Sequence, residues 1–157
     1  MWSVRRSGRV TCLLFPPCAL LRVEPSDFGY ACRKEATVIL VIDDEPGITE
    51  LLADILEYHG HPVMVAHDAR EALKIIPLQR PDLIMVDLMM PSVDGLSLAL
   101  TLRHAPDTRG VPLIAMSASD SALKLADRVG DFDAYVSKPF ENDALVELIE
   151  RFTPVPS

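Results

Sequence analysis

Residues 37–46 read TVILVIDDEP, and the fold turns on how that stretch divides. Thr37 to Ile42 is a continuous, largely β-branched run bounded by Asp43 and Asp44. Such a run fits a strand covered on both faces, as strands of a parallel sheet are. Pro46 suits the first turn of a helix, where a missing N–H costs nothing. Beyond it Ile48, Leu51, Leu52, Ile55 and Leu56 recur at helical spacing as one apolar stripe, and Gly60 marks the stop.

The same alternation continues down the chain. Pro62–Ala66 reads as a second strand. Asp68 caps a helix with Ala69, Ala72, Leu73 and Ile76 inward, which Pro77 is expected to stop early. Leu83–Val86 forms a third strand ending at Asp87, followed by a helix over 94–104. Pro112–Met116 ends at Ser117 and precedes a helix over 120–129. Asp133–Val136 ends at Ser137-Lys138-Pro139 and precedes a helix over 141–152, with Leu145, Leu148, Ile149 and Phe152 inward. Five strand–helix units in succession predict an α/β fold with a central parallel sheet. Right-handed crossovers then place helices on both of its faces.

Charge and cysteine usage divide the chain at the same place. Residues 1–36 carry six Lys/Arg against three Asp/Glu, whereas residues 37–157 carry nine against twenty, a net of −11. An acidic body argues against direct nucleic-acid binding, which demands Lys and Arg, and is compatible with a divalent cation. Cys12, Cys18 and Cys32 all precede the body. That odd set does not read as a disulfide framework, and a reducing, cytoplasmic setting fits best. Arg5, Arg6 and Arg9 before the apolar Val10–Leu21 stretch loosely resemble a signal peptide. Pro16-Pro17 interrupts the stretch, however, and no small-x-small cleavage site follows. The expectation is a tail over 1–36 (disordered, or a start placed too far upstream), one domain over 37–153 and a short C-terminal tail over 154–157. No run is long enough to span a membrane.

The polar residues fall where such a sheet binds its ligands, at the carboxyl ends of the strands. Strand one ends in Asp43 and Asp44, strand three in Asp87, strand four in Ser117 and strand five in Lys138. Each alone has a plain reading as a helix cap or a turn. If strands one, three and four are neighbours, three carboxylates, a hydroxyl and an ammonium converge. Two carboxylates ~4 Å apart repel by roughly 4 kcal/mol at an effective dielectric of 20. A hard, oxygen-seeking cation such as Mg²⁺ relieves that conflict. A carboxylate nucleophile, a metal and electrophiles for the equatorial oxygens are the equipment of phosphoryl transfer.

These residues resemble the response-regulator receiver family. Val41-Ile-Asp-Asp-Glu-Pro46 is similar to its opening acidic motif. Asp87-Leu-Met-Met-Pro-Ser-Val-Asp-Gly95 is similar to its phosphoacceptor motif, Ala115-Met-Ser-Ala118 to its fourth-strand motif and Tyr135-Val-Ser-Lys-Pro-Phe140 to its closing motif. The resemblance covers about residues 37–153. It implies a doubly wound, flavodoxin-like (βα)5 sandwich with strand order 2-1-3-4-5. It also implies Asp87 as the phosphorylated residue. Mg²⁺ would lie on Asp44, Asp87 and the backbone carbonyl of Met89, with Asp43 acting mainly through a metal-bound water. Lys138 would pair with the phosphoryl group, and a cis Lys138–Pro139 bond is common in the family. Ser117 would donate to a phosphoryl oxygen, and Tyr135 would swing from exposed to buried. The donor would be a histidine kinase or a histidine phosphotransfer protein in a phosphorelay. The surface of helix four, strand five and helix five would report the state to a downstream protein that the sequence does not name.

Two departures from the family pattern bear on the site. Asp131 stands where the family has Gly before the aromatic, with Gly130 one residue earlier; Met89 and Ser119 occupy positions that tune dephosphorylation. With no output domain after the last helix, the expectation is a single-domain regulator that acts by docking and is not a classical enzyme. A phosphate-independent interaction module of the same shape is the first alternative, against which the intact acidic, hydroxyl and lysine set argues. An aspartyl-phosphate phosphatase is the second, and it would need an acid where Met89 stands. No Gly-x-Gly-x-x-Gly follows strand one, so a dinucleotide site is not expected.

Overall fold

The computed structural model describes residues 37–91 and 93–153; the expectations for 1–36 and 154–157 lie outside the described residues. In chain order the elements are β1 (Ile39–Ile42), α1 (Pro46–Tyr58), β2 (Val63–Ala66), α2 (Ala69–Gln79) and β3 (Leu83–Asp87). They continue with α3 (Gly95–His104), β4 (Leu113–Ser117), α4 (Asp120–Val129), β5 (Ala134–Ser137) and α5 (Asn142–Glu150). The five strands are all parallel, in the order β2-β1-β3-β4-β5. The chain reverses its direction of travel across the sheet at β1 and β3, and that switch point opens a crevice beyond the strand ends.

Every residue of β1, β3 and β4 is buried, which is why these strands read as unbroken apolar runs. Side chains alternate between two cores. One face, with Leu40, Ile42, Ile84, Val86, Leu113 and Ala115, packs under α2, α3 and α4. The other, with Ile39, Val41, Leu83, Met85, Ile114 and Met116, packs under α1 and α5. The edge strand β2 is only half-buried over Val63–Val65.

The helix boundaries follow local chemistry. Pro46 opens α1, and Gly60 takes a left-handed φ of 86° just past its end. Asp68, Asp94 and Ser119 accept the amides of Glu71, Ser97 and Ala122 and so cap α2, α3 and α4. Gly130, at φ 75°, closes α4 and supplies the left-handed residue of this turn; Asp131, where the family has glycine, has no positive φ. Gly95 is required for a different reason. A Cβ there would lie 2.4 Å from the Asp87 carbonyl oxygen and 2.9 Å from the Leu88 Cα.

Three details differ from the sequence reading. Helix α2 runs through Pro77 to Gln79. The proline lies in the last turn, where its missing N–H leaves only the carbonyl of the exposed Leu73 without its helical partner, within reach of water. Leu51 and Leu73, expected inward, are 44% and 43% exposed, and Thr49 takes an inward place on α1. Helix α5 ends at Glu150, two residues short of the expectation, while Val146 joins Leu145 and Ile149 in the core.

Candidate functional site

The strand ends converge as the polar pattern requires. Asp43, Asp87 and Ser117 are buried, at 0%, 4% and 0% exposure. One oxygen from each of Asp43, Asp44 and Asp87 lies within 4.8 Å of the others. Asp44 is the most open of the three. Lys138 reaches in from the β5 end, with Nζ 2.5 Å from Asp43 Oδ2 and 3.5 Å from Asp87 Oδ1. The Lys138–Pro139 peptide bond is cis.

One ammonium thus faces three carboxylates, two of them buried, and the ionisation of Asp87 reflects this. Burial pushes its carboxyl above the ordinary carboxylate range. The Lys138 charge and hydrogen bond and the Met89 amide pull the other way, and the Asp43 charge adds to the rise. Burial alone would lower Lys138. The hydrogen bond and charge of Asp43, with Asp87 and Glu45 behind them, outweigh it and hold the ammonium above its usual value.

Asp43 is the most tightly held of the acids. Its amide donates to the Ala66 carbonyl, its Oδ1 accepts the Glu45 amide at 3.0 Å, and its Oδ2 accepts Lys138. Ser117 Oγ accepts the Ser119 amide at 3.0 Å, while the Ser117 carbonyl accepts the Lys138 amide at 2.8 Å. These bonds tie the ends of β4 and β5 together at the site. Met89, two residues after Asp87, exposes its side chain, and Met90 buries its own. Tyr135 is half-buried, 6.2 Å from Phe132 between ring centres, and lines a cleft of ≈ 300 Å³ with Phe140 and Leu148. Burial, with the charges of Asp127, Asp133 and Asp131, raises its hydroxyl pKa. Asp43, Asp44, Asp87 and Lys138 therefore meet, Ser117 caps the adjoining strand, and Tyr135 stands at the β5–α5 side. One neighbour of the cluster was not marked by the sequence reading. His67, directly after β2, places Nδ1 3.3 Å from the Asp43 carbonyl oxygen. The strand-end rule that marks the acids applies to β2 as well and would have found it.

The oxygen set fits a divalent cation. Octahedral Mg²⁺ places adjacent ligand oxygens about 3 Å apart and opposite ones about 4.2 Å apart, given bonds of about 2.1 Å. The three acids offer oxygens within 4.8 Å of one another, close to that range, and hard carboxylate oxygens are the ligand type the ion prefers.

The family model for the response regulator receiver domain matches residues 39–150. The chain belongs to the response regulator receiver family. Response regulator MprA of Mycolicibacterium vanbaalenii is 40% identical over 117 residues, 72% of this chain and 47% of that protein. The receiver domain thus spans about half the length of the curated relatives it matches. Among solved structures, the receiver domain of a signal transduction histidine kinase from Syntrophus aciditrophicus superposes with a TM-score of 0.69 at 31% identity. That match covers 75% of this chain and 90% of the other. Response regulator TrrA of Thermotoga maritima, solved in complex with Mg²⁺ and BeF, superposes with a TM-score of 0.66 at 32% identity, covering 74% and 98%. The resemblance read from the four motifs and the 2-1-3-4-5 order are both borne out. The receiver domain is a module of two-component signalling, and its acidic pocket is consistent with Mg²⁺. Among the described residues no helix is long and apolar enough to cross a membrane.

Proposed function

We propose that Asp87 accepts a phosphoryl group from a histidine kinase or histidine phosphotransfer protein and that the resulting switch alters protein docking. The observation that carries this reading is Lys138 Nζ set between Asp43 and Asp87, at 2.5 and 3.5 Å, beside three converging acids. Asp87 attacks the phosphorus of a phosphohistidine. A P–O bond forms as the P–N bond breaks, and the electron pair leaves with the imidazole. Asp44, Asp87 and the Met89 carbonyl would hold Mg²⁺, with Asp43 acting through water. The ion, when bound, offsets negative charge on the transferring group. Lys138 then exchanges part of its contact with the acids for the new phosphoryl oxygens. It keeps Asp87 ionised against the burial that pushes its pKa up, as a carboxylate nucleophile requires.

Ser117 supplies the other electrophile by turning its hydroxyl hydrogen toward a phosphoryl oxygen. Tyr135 and the α4–β5–α5 surface carry the change to a partner, a two-state equilibrium biased by one covalent group. On this reading the receiver domain catalyses its own aspartyl phosphorylation and dephosphorylation without being a classical enzyme. The output is by docking to another protein in the cytoplasm, with no direct nucleic-acid contact from this acidic domain. The test is incubation with acetyl phosphate and Mg²⁺ followed by mass spectrometry of the intact protein. The wild type gains one phosphoryl group, and omission of Mg²⁺ abolishes the gain. An unmodified wild type under these conditions sinks the proposal.

A further inference from the structure

Asp44, proposed above as a direct ligand, is the least constrained member of the acidic set. Among the described residues its carboxylate has no hydrogen-bond or ion-pair partner. Asp43, by contrast, is fixed through its amide and both of its carboxylate oxygens. The direction of the Asp44 side chain therefore depends on its backbone, whose first plane is the peptide joining Asp43 to Asp44. The oxygen of that peptide is the Asp43 carbonyl, which His67 Nδ1 meets at 3.3 Å. A carbonyl only accepts, so Nδ1 carries the proton in this contact.

The histidine is itself anchored. Its amide donates to Glu71 Oε2 at 2.8 Å, and the Glu71 amide donates to the N-cap Asp68 Oδ1 at 2.7 Å, so Glu71 ties the residue before the cap to the start of α2. The beginning of α2 thus holds His67, and His67 holds the peptide from which Asp44 projects. We propose that His67 is a positioning residue that orients the Asp43–Asp44 peptide and thereby presets Asp44 for the divalent ion. The proposal rests on the reading of the acids as a Mg²⁺ site. It adds a residue from just past the end of β2, the one strand flanking β1 that contributes none of the proposed ligands.

The role is that of one hydrogen bond, so the effect is modest and specific. His67→Ala is expected to weaken Mg²⁺ binding about fivefold by titration calorimetry. The phosphorylation rate at saturating Mg²⁺ should stay at the wild-type level while the half-saturating Mg²⁺ concentration rises. His67→Asn, whose amide nitrogen falls near the place of Nδ1, restores the affinity. A second measurement needs no metal. In Mg²⁺-free protein the Asp44 amide exchanges faster with solvent in His67→Ala than in wild type or His67→Asn, with the melting temperature of all three alike. Equal affinity in wild type and His67→Ala overturns the positioning role, as does a loss that His67→Asn fails to repair. A wild type that binds no Mg²⁺ condemns the metal reading itself. In that case the amide-exchange comparison still decides whether His67 fixes the peptide.

Discussion

Among the described residues the receiver domain carries two ion-pair clusters at opposite ends of its sheet, and they differ in how their charges balance. At the amino ends of β4 and β5, Arg103 from α3 pairs with Asp133. It also donates through Nε to the Asp131 carbonyl and through Nη1 to the carbonyls of Arg109 and Val111. Asp133 in turn accepts the Leu113 amide at 2.8 Å. One cation meets one anion, and three further donations go to backbone carbonyls, while the neighbouring Asp131 keeps one buried carboxylate oxygen without a partner. At the carboxyl ends one ammonium is shared between two buried acids with a third beside them. Ion pairs balanced in charge and tied to the backbone hold loops in place. Pairs with an excess of one sign store unfavourable energy that a ligand or a chemical step can release.

The sharpest way to break that contrast is at Asp87. Asp87→Asn is expected to abolish phosphorylation by acetyl phosphate entirely, read by intact mass. It should also raise the melting temperature of the metal-free protein by a few degrees, on the order of 1 kcal/mol, because one of the crowded charges is gone. A catalytic acid whose removal stabilises the fold is the signature of the unbalanced cluster, and an unchanged or lowered melting temperature would count against it. Next in size is Arg103→Ala. It should destabilise the domain by about 2 kcal/mol in urea unfolding, since it strips partners from three carbonyls and one carboxylate, and leave phosphorylation unchanged.

Lys138→Ala sharpens the comparison from the other side. The domain should fold and still accept phosphate at a reduced rate, but phosphorylation should no longer change affinity for a docking partner, measured by pull-down with and without phosphodonor. Equal responses in wild type and variant would remove Lys138 from the switch. The smallest effect is one of pH. The folded state holds the Asp87 proton more tightly than the unfolded chain does. Its contribution therefore favours the fold below the ordinary carboxylate range and is lost as pH rises through the raised folded value. The melting-temperature gap between Asp87→Asn and wild type should widen from acidic toward neutral pH in metal-free buffer, and Mg²⁺ should narrow it.

Much of this was legible in the sequence, for identifiable reasons. Strands buried on both faces leave apolar runs that no surface helix mimics, so β1, β3 and β4 and the residues ending them could be read directly. Asp43, Asp44, Asp87 and Ser117 follow from where those runs stop, and Lys138 from the end of the fifth strand. Single helical positions were harder. Leu51 and Leu73 sit at the rim of their stripes, where a small rotation of the helix decides exposure and spacing gives no guide. Pro77 was misread because its cost depends on how many turns remain after it. Arg103 has no pattern at all: it is one charged residue near a helix end, and its partners come from segments whose proximity only the folded chain creates.

Gly95 carries a consequence for how this domain can vary. Its missing side chain lets the first residue of α3 rest directly on the Asp87 carbonyl, with no space for even a methyl group. The acid and the helix behind it are therefore coupled through backbone alone, and no neighbouring rotamer can absorb an added atom. Library selection at residue 95 should return glycine almost exclusively, even under conditions that demand folding but not signalling. That intolerance would come from packing, so strict retention of a residue beside a reactive group does not by itself mark it as a participant in the reaction.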